Sequence, residues 1–591
     1  MNEEEKRKLA SPDRLTGSEI LLRTLLLEGV ECVFGYPGGA VLYIYDAMHD
    51  NGAFRHVLTR HEQGAIHAAD GYARATGRTG VCIATSGPGA ANLLTGIATA
   101  MMDSIPLVVI TGNVATDLMG TDAFQEADIA GMALPVTKHT FVVRRVEELA
   151  RTIRAAFRIA ESGRKGPVLV DIPKDVSAAV ATFRYPETVD VPGLRPAPTA
   201  DASALDRLAA AIETSERPLL LVGAGVIHAG AHEELGQLAR AQSIPVVGTL
   251  MALGAFPPND PLWLGMPGMH GSVAANKALL ACDLLVAVGA RFDDRVTMRP
   301  DGFAPQATIA HIDIDAAELG KLVPTAIAVA ADAREALSGL LRRLETPGSR
   351  GDAGADSALR TAPSPAERRA AWLRETAAWR ERVPLPFRSD GAFKPQEAIR
   401  IMAELSGPDA IVTTDVGQHQ MWAAQYFPVA RPRAFLTSGG LGTMGFGFPS
   451  AIGAQIGRPG ATVVSINGDG GMQMCAQELA VCAVHNIPVK IAVLNNGVLG
   501  MIKQWQDLVY DGRHSHIELG GSPDFVKLAE AYGVKGLRAT NADQARAAWK
   551  EALATDGPVL TEFVIDPDER VYPMVPQGKA LADMMTGEES P

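Results

Sequence analysis

Two segments of the chain place oxygen ligands where a cation and a phosphate could be held together. The apolar run Val463-Val464-Ser465-Ile466 leads into Asn467-Gly468-Asp469-Gly470-Gly471 and then a helical pattern through Leu479. A second run, Val489 to Leu494, leads into Asn495-Asn496. A buried strand ending in Gly-Asp-Gly presents a carboxylate beside exposed backbone amides, at the edge where open α/β sheets bind ligands. Magnesium takes a few oxygen ligands and completes its shell with phosphate oxygens, and Asp469 with Asn496 on a neighbouring strand end suits it. The following helix would direct its positive end at a diphosphate. Either segment alone reads as a tight turn. Both together, each closing an apolar strand, point to a metal–diphosphate site.

A further carboxylate stands far upstream in Val57-Leu58-Thr59-Arg60-His61-Glu62-Gln63, where Glu62 follows a strand-like run and opens an Ala-rich helical pattern up to Ala75. Its place in a first helical turn is also accounted for by the helix dipole. In the last third, Asp415 to Trp422 and Gly440 to Gly447 supply glycines for close backbone approach together with bulky residues. Arg295, in Arg291-Phe292-Asp293-Asp294-Arg295, is chemically suited to clamp a carboxylate with two parallel hydrogen bonds. A surface ion pair with Asp293 or Asp294 is its plainer reading.

The elements that must position these groups form three α/β domains in series. Short β-branched runs such as Gly80 to Thr85 and Leu107 to Ile110 alternate with helix-length stretches such as Val146 to Ala160, which implies parallel sheets covered on both faces. The expected boundaries are a first domain over 12–183, a central domain over 201–345, a Gly/Ser/Ala/Pro-rich linker over 346–390, a third domain over 391–570 and a tail over 571–591. The first and third segments share a strand-and-helix rhythm.

At 591 residues, one hydrophobic core cannot serve the whole chain. The formal charge of −13, with no long basic run, argues against nucleic acid or an anionic membrane as the main partner. No apolar run approaches the roughly 20 residues of a membrane span. The mixed-charge start Met1 to Lys8 is unlike a signal or transit peptide, so the cytoplasm is expected. Five dispersed cysteines (Cys32, Cys82, Cys282, Cys475, Cys482) fit small buried hydrophobes rather than a disulfide framework.

Gly468-Asp469-Gly470 through Asn496 resembles the diphosphate and magnesium motif of thiamine-diphosphate enzymes, and Arg60-His61-Glu62-Gln63 resembles their catalytic glutamate segment. Four more segments narrow the resemblance to the large catalytic subunits of acetohydroxyacid (acetolactate) synthase: Gly120 to Glu126, Asp171 to Asp175, Arg291 to Thr297, and Leu499 to Trp505. It extends from about Thr16 to Asp583, in the same order and spacing. The resemblance implies thiamine diphosphate, Mg2+ and FAD as cofactors. Asp469, the Asn496 side chain and the Val498 carbonyl would hold the metal. Gln418 and His419 would reach the diphosphate end beside Gly470 and Gly471. The Gly442 backbone would meet the aminopyrimidine, Met444 would wedge the cofactor into its bent form, and Met421 would also contact it. Glu62 would activate the aminopyrimidine.

By the same resemblance Arg295 would receive the acceptor's carboxylate and Trp505 its alkyl group. Gln125 and Lys174 would join them in the reaction, with Gly39, Ala40, Ala115, Phe124 and Met501 lining the channel. FAD would lie on the central domain along Gly223 and Gly225, then Thr249, Leu250 and Met251, then Met269 and His270. Gly289, Arg291, Asp293 and Arg295 follow, then Asp313, Ile314 and Asp332, with Arg164 from the first domain. Its role would be structural and non-redox, because decarboxylation plus carboligation needs no net redox change.

The implied activity is a transferase (carboligase) at the first common step of valine, leucine and isoleucine biosynthesis. Pyruvate would be decarboxylated and its two-carbon unit passed to a second pyruvate or to 2-oxobutanoate, giving 2-acetolactate or 2-aceto-2-hydroxybutyrate. The implied assembly is a homodimer or homotetramer with sites at the subunit interface and a small regulatory subunit. Ala115, Val498 and Gln577 depart from residues that some members carry (Pro, His and Ser). A flavin-linked pyruvate oxidase and a catalytically dead scaffold are the competing readings.

Overall fold

The computed structural model of the chain describes residues 3–49, 52, 54–345, 364–382, 391–520 and 523–587. Its apolar runs form three six-stranded sheets. In spatial order the first is Arg55–Leu58, Cys32–Tyr36, Gly80–Ala84, Leu107–Asn113, Pro167–Pro173 and His139–Val142, parallel throughout. The central sheet runs Trp263–Gly265, Val246–Gly248, Pro218–Val222, Leu284–Val288, Thr308–Asp313 and Ile327–Ala330, also parallel. The third runs Phe435–Leu436, Ile411–Thr414, Val463–Gly468, Lys490–Asn495, Val559–Val564 and Lys535–Ala539, parallel from Ile411–Thr414 onward. An antiparallel pair, Arg14–Thr16 with Val180–Thr182, closes the first domain.

Numbered along the chain within each sheet, the strands of the first and third sheets share the order 2-1-3-4-6-5, whereas the central sheet has 3-2-1-4-5-6. The shared order is the structural basis of the rhythm common to the two segments. The central order is that of dinucleotide-binding doubly wound folds. In each sheet the crossovers leave one inner strand in opposite directions, and that reversal opens a crevice at the carboxyl ends.

The chain forms two compact units. One comprises Met1–Pro196, Ile411–His419 and Leu436–Val564, the other Ala197–Ala410, Gln420–Phe435 and Ile565–Pro591. The first and third sheets therefore share one unit, although they are distant in sequence. The helix Glu62–Thr76 of the first domain packs directly on the helix Gly447–Gly457 of the third. A Cβ at Gly71 would overlap the Ser450 carbonyl oxygen, and one at Gly453 the Ala68 carbonyl oxygen. Around this contact Ala65, Ile66, Ala69, Phe448, Ala451 and Ile452 belong to one continuous core.

Within the linker expected over 346–390, residues 364–382 fold as the helices Pro365–Arg368 and Ala370–Arg382, the first of them capped by Ser364. Trp372 is buried and donates its Nε1–H to the Pro218 carbonyl at 3.0 Å. Arg369, also buried, donates to the carbonyls of Ile212, Ser215 and Gln242, which terminate two helices of the central domain. These anchors hold the segment on the central domain, against the loop-like composition around it. The remaining linker residues, 346–363 and 383–390, lie outside the described residues. The expected tail also packs inward, with Val571, Met574, Val575 and Leu581 buried. All five cysteines are free and buried.

The helix contact gives a direct test. Gly453→Ala should destabilise the protein by about 1–3 kcal/mol, the usual cost of overpacking a close contact. Alanine at exposed Gly460, which has open space around it, should not. Denaturant or thermal unfolding of the two variants measures the difference.

Candidate functional site

In the first sheet the order reverses between Cys32–Tyr36 and Gly80–Ala84, so their carboxyl ends line the crevice. The chain leaving the first gives Gly38, Gly39 and Ala40, and the chain leaving the second gives Thr85 to Gly89. Ala40 donates its amide to Thr85 Oγ1 at 3.2 Å. Glu62 opens the helix Glu62–Thr76, with His61 as its cap. The Glu62 side chain is buried and accepts from Asn92 Nδ2 at 2.9 Å.

A Cβ at Gly89 would stand 3.0 Å from Glu62 Oε1, and one at Gly87 would stand 2.6 Å from the Gln125 carbonyl. Both Gly87 and Gln125 have left-handed backbones, with φ of 58° and 59°. One glycine turn thus borders the Glu62 carboxylate on one side and the Gln125 backbone on the other, with Gly39 and Ala40 adjoining through Thr85. Phe124, next to Gln125, is 88% exposed. Lys174 lies 6.0 Å over the Tyr43 ring.

In the third sheet the reversal falls between Ile411–Thr414 and Val463–Gly468. Asp469 begins the helix Asp469–Cys475 rather than preceding it. Its Oδ1 accepts from the Gly470 amide at 2.9 Å and its Oδ2 from the Gly497 amide at 2.8 Å. Burial pushes its carboxyl up to about 6, and a cation placed on it would favour the ionised form. Asn496 Oδ1 accepts from the Val498 amide at 3.2 Å. A carboxylate, an amide oxygen and a backbone carbonyl make a donor set fit for Mg2+. Among the described residues no group of three or more His, Cys, Asp or Glu side chains is placed to hold a metal ion.

His419 is buried, and its Nε2 has no hydrogen-bond partner among the described residues. Burial lowers it to about 4, so the ring is neutral at pH 7. A Cβ on Gly468 would come within 2.9 Å of His419 Nδ1, so glycine lets the ring lie beside the Asp469 strand end. Gln418 Nε2 donates to Gln504 Oε1 at 2.9 Å, on the helix Gly500–Val509 that carries Met501 and Trp505. Met444 Cε would be 3.6 Å from a Cβ at Gly470. Met421 lies on the helix Gln418–Tyr426.

Three functional carboxylates were missed in the sequence. Asp415, fully buried, accepts the amides of Val416 at 2.8 Å and Gly445 at 2.9 Å and so fixes the turn around Met444. It closes an apolar strand as Asp469 does, and that signal would have found it. Glu478 accepts the Arg60 amide on both oxygens at 3.1 Å, holding the start of the Glu62 helix from the third domain. Burial pushes it up to about 7. Glu562 accepts from Asn495 Nδ2 at 2.7 Å, and Asn495 Oδ1 accepts the Gly497 amide, which fixes the loop of Asn496 and Val498. No local pattern announces the last two.

In the central sheet the reversal lies between Pro218–Val222 and Leu284–Val288. A Cβ on Gly223 would overlap the Gly289 carbonyl, and one on Gly225 would stand 2.6 Å from Gly289 Cα. The glycines are thus needed first for contact between strand ends. Thr249 donates its amide to the Val222 carbonyl at 2.9 Å and leads into the short helical turn Leu250–Ala252 that carries Met251. Met269 donates its amide to the Arg295 carbonyl at 2.8 Å, and His270 Nδ1 meets the Pro573 carbonyl at 3.2 Å.

Arg291 pairs with Asp293 at 2.8 Å. Arg295 contacts Met269 Sδ at 3.6 Å and Asp294 at 3.6 Å, with both members of the ion pair more than half exposed. Asp313, preceding Ile314, caps the Asp315 amide, and Asp332 caps the Arg334 amide. Arg164 belongs to the other unit, where its Nε donates to Ser104 Oγ at 2.9 Å.

The chain matches the thiamine pyrophosphate enzyme family in three parts: the N-terminal TPP binding domain over residues 15–132, the central domain over 205–340 and the C-terminal TPP binding domain over 415–563. It is 47% identical over 582 residues to the acetolactate synthase large subunit of Corynebacterium glutamicum, covering 97% of this chain and 91% of that protein. The probable acetolactate synthase large subunit of Methanocaldococcus jannaschii is 47% identical over 588 residues, covering 97% and 95%. The acetolactate synthase large subunit of Haemophilus influenzae is 43% identical over 576 residues, covering 97% and 98%.

At the end of Pro167–Pro173, buried Asp171 accepts from Thr111 Oγ1 at 2.6 Å and Asn113 Nδ2 at 2.5 Å. Asn113 Oδ1 in turn accepts the Val114 amide at 2.7 Å, and Asp175 accepts from the Thr116 amide at 2.9 Å, on either side of Ala115. Burial raises Asp171 from 3.8 to about 7. With the folded value above the unfolded one, its contribution to stability is complete below about pH 4 and is lost as pH rises through about 7. Asp171→Asn removes that slope. Thermal midpoints of the variant relative to the wild type should therefore be higher at pH 8 than at pH 5, and equal offsets at both would refute the assignment.

Proposed function

The chain belongs to the acetolactate synthase large subunits of the thiamine pyrophosphate enzyme family, and from that premise we propose how its residues divide the work. It is a thiamine-diphosphate-dependent enzyme that decarboxylates pyruvate and transfers the two-carbon unit to a second 2-oxo acid. This is the reaction that opens branched-chain amino-acid biosynthesis. Support comes from identity sustained along 97% of the chain together with Asp469 at the switch point of the third sheet, Asn496 at the end of the next strand, and Glu62 beside the glycine turn that leaves Gly80–Ala84. Thiamine diphosphate, when bound, supplies the electron sink for the carbanion left by decarboxylation.

We assign Mg2+ to Asp469, the Asn496 side chain and the Val498 carbonyl, with Gln418 and His419 at the diphosphate. Gly442 and Met444 hold the ring system. Glu62 shares a proton with the aminopyrimidine, in a pocket that Asn92, Gly87 and Gly89 keep narrow. Gln125, Lys174, Phe124, Met501 and Trp505 shape the acceptor's approach, and Arg295 takes its carboxylate. The acceptor is pyruvate or 2-oxobutanoate. FAD is assigned to the central crevice, supported by the strand order 3-2-1-4-5-6 and the Gly223, Gly225 and Gly289 strand ends. Its place there is structural, because the reaction has no electron balance for it to carry. A small regulatory subunit and the cytoplasm complete the reading.

The deciding experiment incubates the purified protein with pyruvate, thiamine diphosphate, Mg2+ and FAD, with and without 2-oxobutanoate, and identifies the products. Acetolactate without oxygen uptake supports the assignment, and oxygen consumption with acetyl products overturns it. Glu62→Gln should lower carboligation by about 10²–10⁴-fold, the range for loss of a proton-transfer group.

Glu62 and Asp469 are held by partners of their own domains, Asn92 for the first and Gly470 and Gly497 for the second. The proposed active form is a homodimer in which each cofactor lies between Glu62 of one chain and Asp469 of the other. Co-refolded Glu62→Gln and Asp469→Ala chains should then regain about a quarter of wild-type activity, since half of randomly paired two-fold dimers are hybrids with one intact site. If both residues of a site came from one chain, the mixture would stay inactive.

A further inference from the structure

The turn from Thr437 to Gly445 is gripped by the first domain through a buried charge cluster. Arg74, in the last turn of the Glu62–Thr76 helix, pairs with Asp70 and, at 2.9 Å, with Asp103; all three side chains are almost wholly buried. Its Nη1 donates to the Thr437 carbonyl at 2.8 Å, and its guanidinium lies 5.1 Å over the Phe446 ring.

Asp103 ends the helix Leu94–Asp103 and accepts two consecutive amides of the third domain, Gly439 at 3.2 Å and Gly440 at 2.8 Å. One turn earlier, Thr99 Oγ1 meets Thr443 Oγ1 at 2.7 Å. The turn is thus tied at 439, 440 and 443, leaving Leu441 and Gly442 exposed between the ties. Gly442 has φ of 71°, a backbone that side chains rarely adopt.

A buried carboxylate that receives charge-assisted bonds from two amides and one guanidinium is a rigid anchor, because removing any partner strands a charge. Its rigid consequence falls on the exposed carbonyl segment between the ties. The metal end of the crevice is fixed separately, by Gly470, Gly497, Asn495 and Glu562.

We infer that Asp103, with Arg74 and Thr99, is a positioning cluster that sets the Gly442 backbone for the aminopyrimidine ring, independently of diphosphate anchoring. This rests on the assignment of Gly442 to the ring made above. The cluster touches neither substrate nor cofactor; it acts through the turn.

The test uses the full chain with Mg2+ and compares Thr99→Val and Asp103→Asn with the wild type. Two dissociation constants are measured, for thiamine diphosphate and for inorganic diphosphate, which occupies only the metal end. The affinity for thiamine diphosphate should fall about fivefold in Thr99→Val and about tenfold or more in Asp103→Asn, as for one neutral and one charged hydrogen bond. The affinity for inorganic diphosphate should not change. The kcat should fall while the KM for pyruvate stays level. If Asp103→Asn does not fold, Thr99→Val, which deletes one hydroxyl, decides alone. Affinities for both ligands that fall together, or that both stay unchanged, overturn the proposal, even where the thermal midpoint drops. A wild-type protein that binds inorganic diphosphate but not thiamine diphosphate overturns the ring assignment itself.

Discussion

A parallel sheet whose crossovers change direction at an inner strand cannot close over the carboxyl ends of the two strands at that point, and most of the candidate chemistry follows from this constraint. In the first sheet the opening lies between Tyr36 and Ala84, and Glu62 with Gln125 occupies it. In the third it lies between Thr414 and Gly468, and Asp415, His419 and Asp469 stand there. In the central sheet it lies between Val222 and Val288, with Gly223, Gly225 and Gly289 back to back. The strand order decides where a ligand can enter, and the residues then decide which ligand.

Around the third opening and at its contact with the Glu62 helix stands a set of carboxylates removed from water. Asp415, Asp469 and Glu478 are all pushed up by burial and partly drawn back by backbone amides. Their tasks differ with their partners. Asp415 and Glu478 spend their oxygens on backbone, Gly445 in one case and Arg60 in the other, and so act as braces. Asp469 gives its oxygens to two amides of its own crevice beside Asn496, where the proposed Mg2+ would sit. The neutral His419 beside it adds a ring nitrogen that the protein itself leaves without a partner among the described residues.

Legibility in the sequence followed distance along the chain. Asp469, Asn496 and Glu62 could be read because each closes an apolar run or opens a helical one within a few residues. The three sheets could be read for the same reason. Asp415 carried the same signal and was passed over within a longer motif. Glu478 could not be read, since its partner Arg60 is 418 positions away, nor could Asp103 and Gly440, 337 apart. The helix Ala370–Arg382 was hidden by its surroundings, because the Gly- and Pro-rich residues before it dominate the local composition, while the contacts of Trp372 and Arg369 lie more than a hundred residues upstream.

The sharing of one unit by the first and third sheets rests on glycine in a way that composition alone does not disclose. At Gly71 and Gly453 the two helices meet backbone to backbone, with carbonyl oxygens in the space where Cβ atoms would be. Side chains in a core can change rotamer to absorb a displacement, but a backbone contact has no such freedom, and close-packed interiors pass strain on. The helix that makes this contact starts at Glu62 and carries Arg74 in its last turn. Glu478 fixes its first turn and the Thr437 carbonyl meets its last, so the third domain holds it at both ends and at the middle. The Glu62 carboxylate is therefore mounted on an element with little room to slide, which is the positional accuracy that the proton sharing proposed for it would demand.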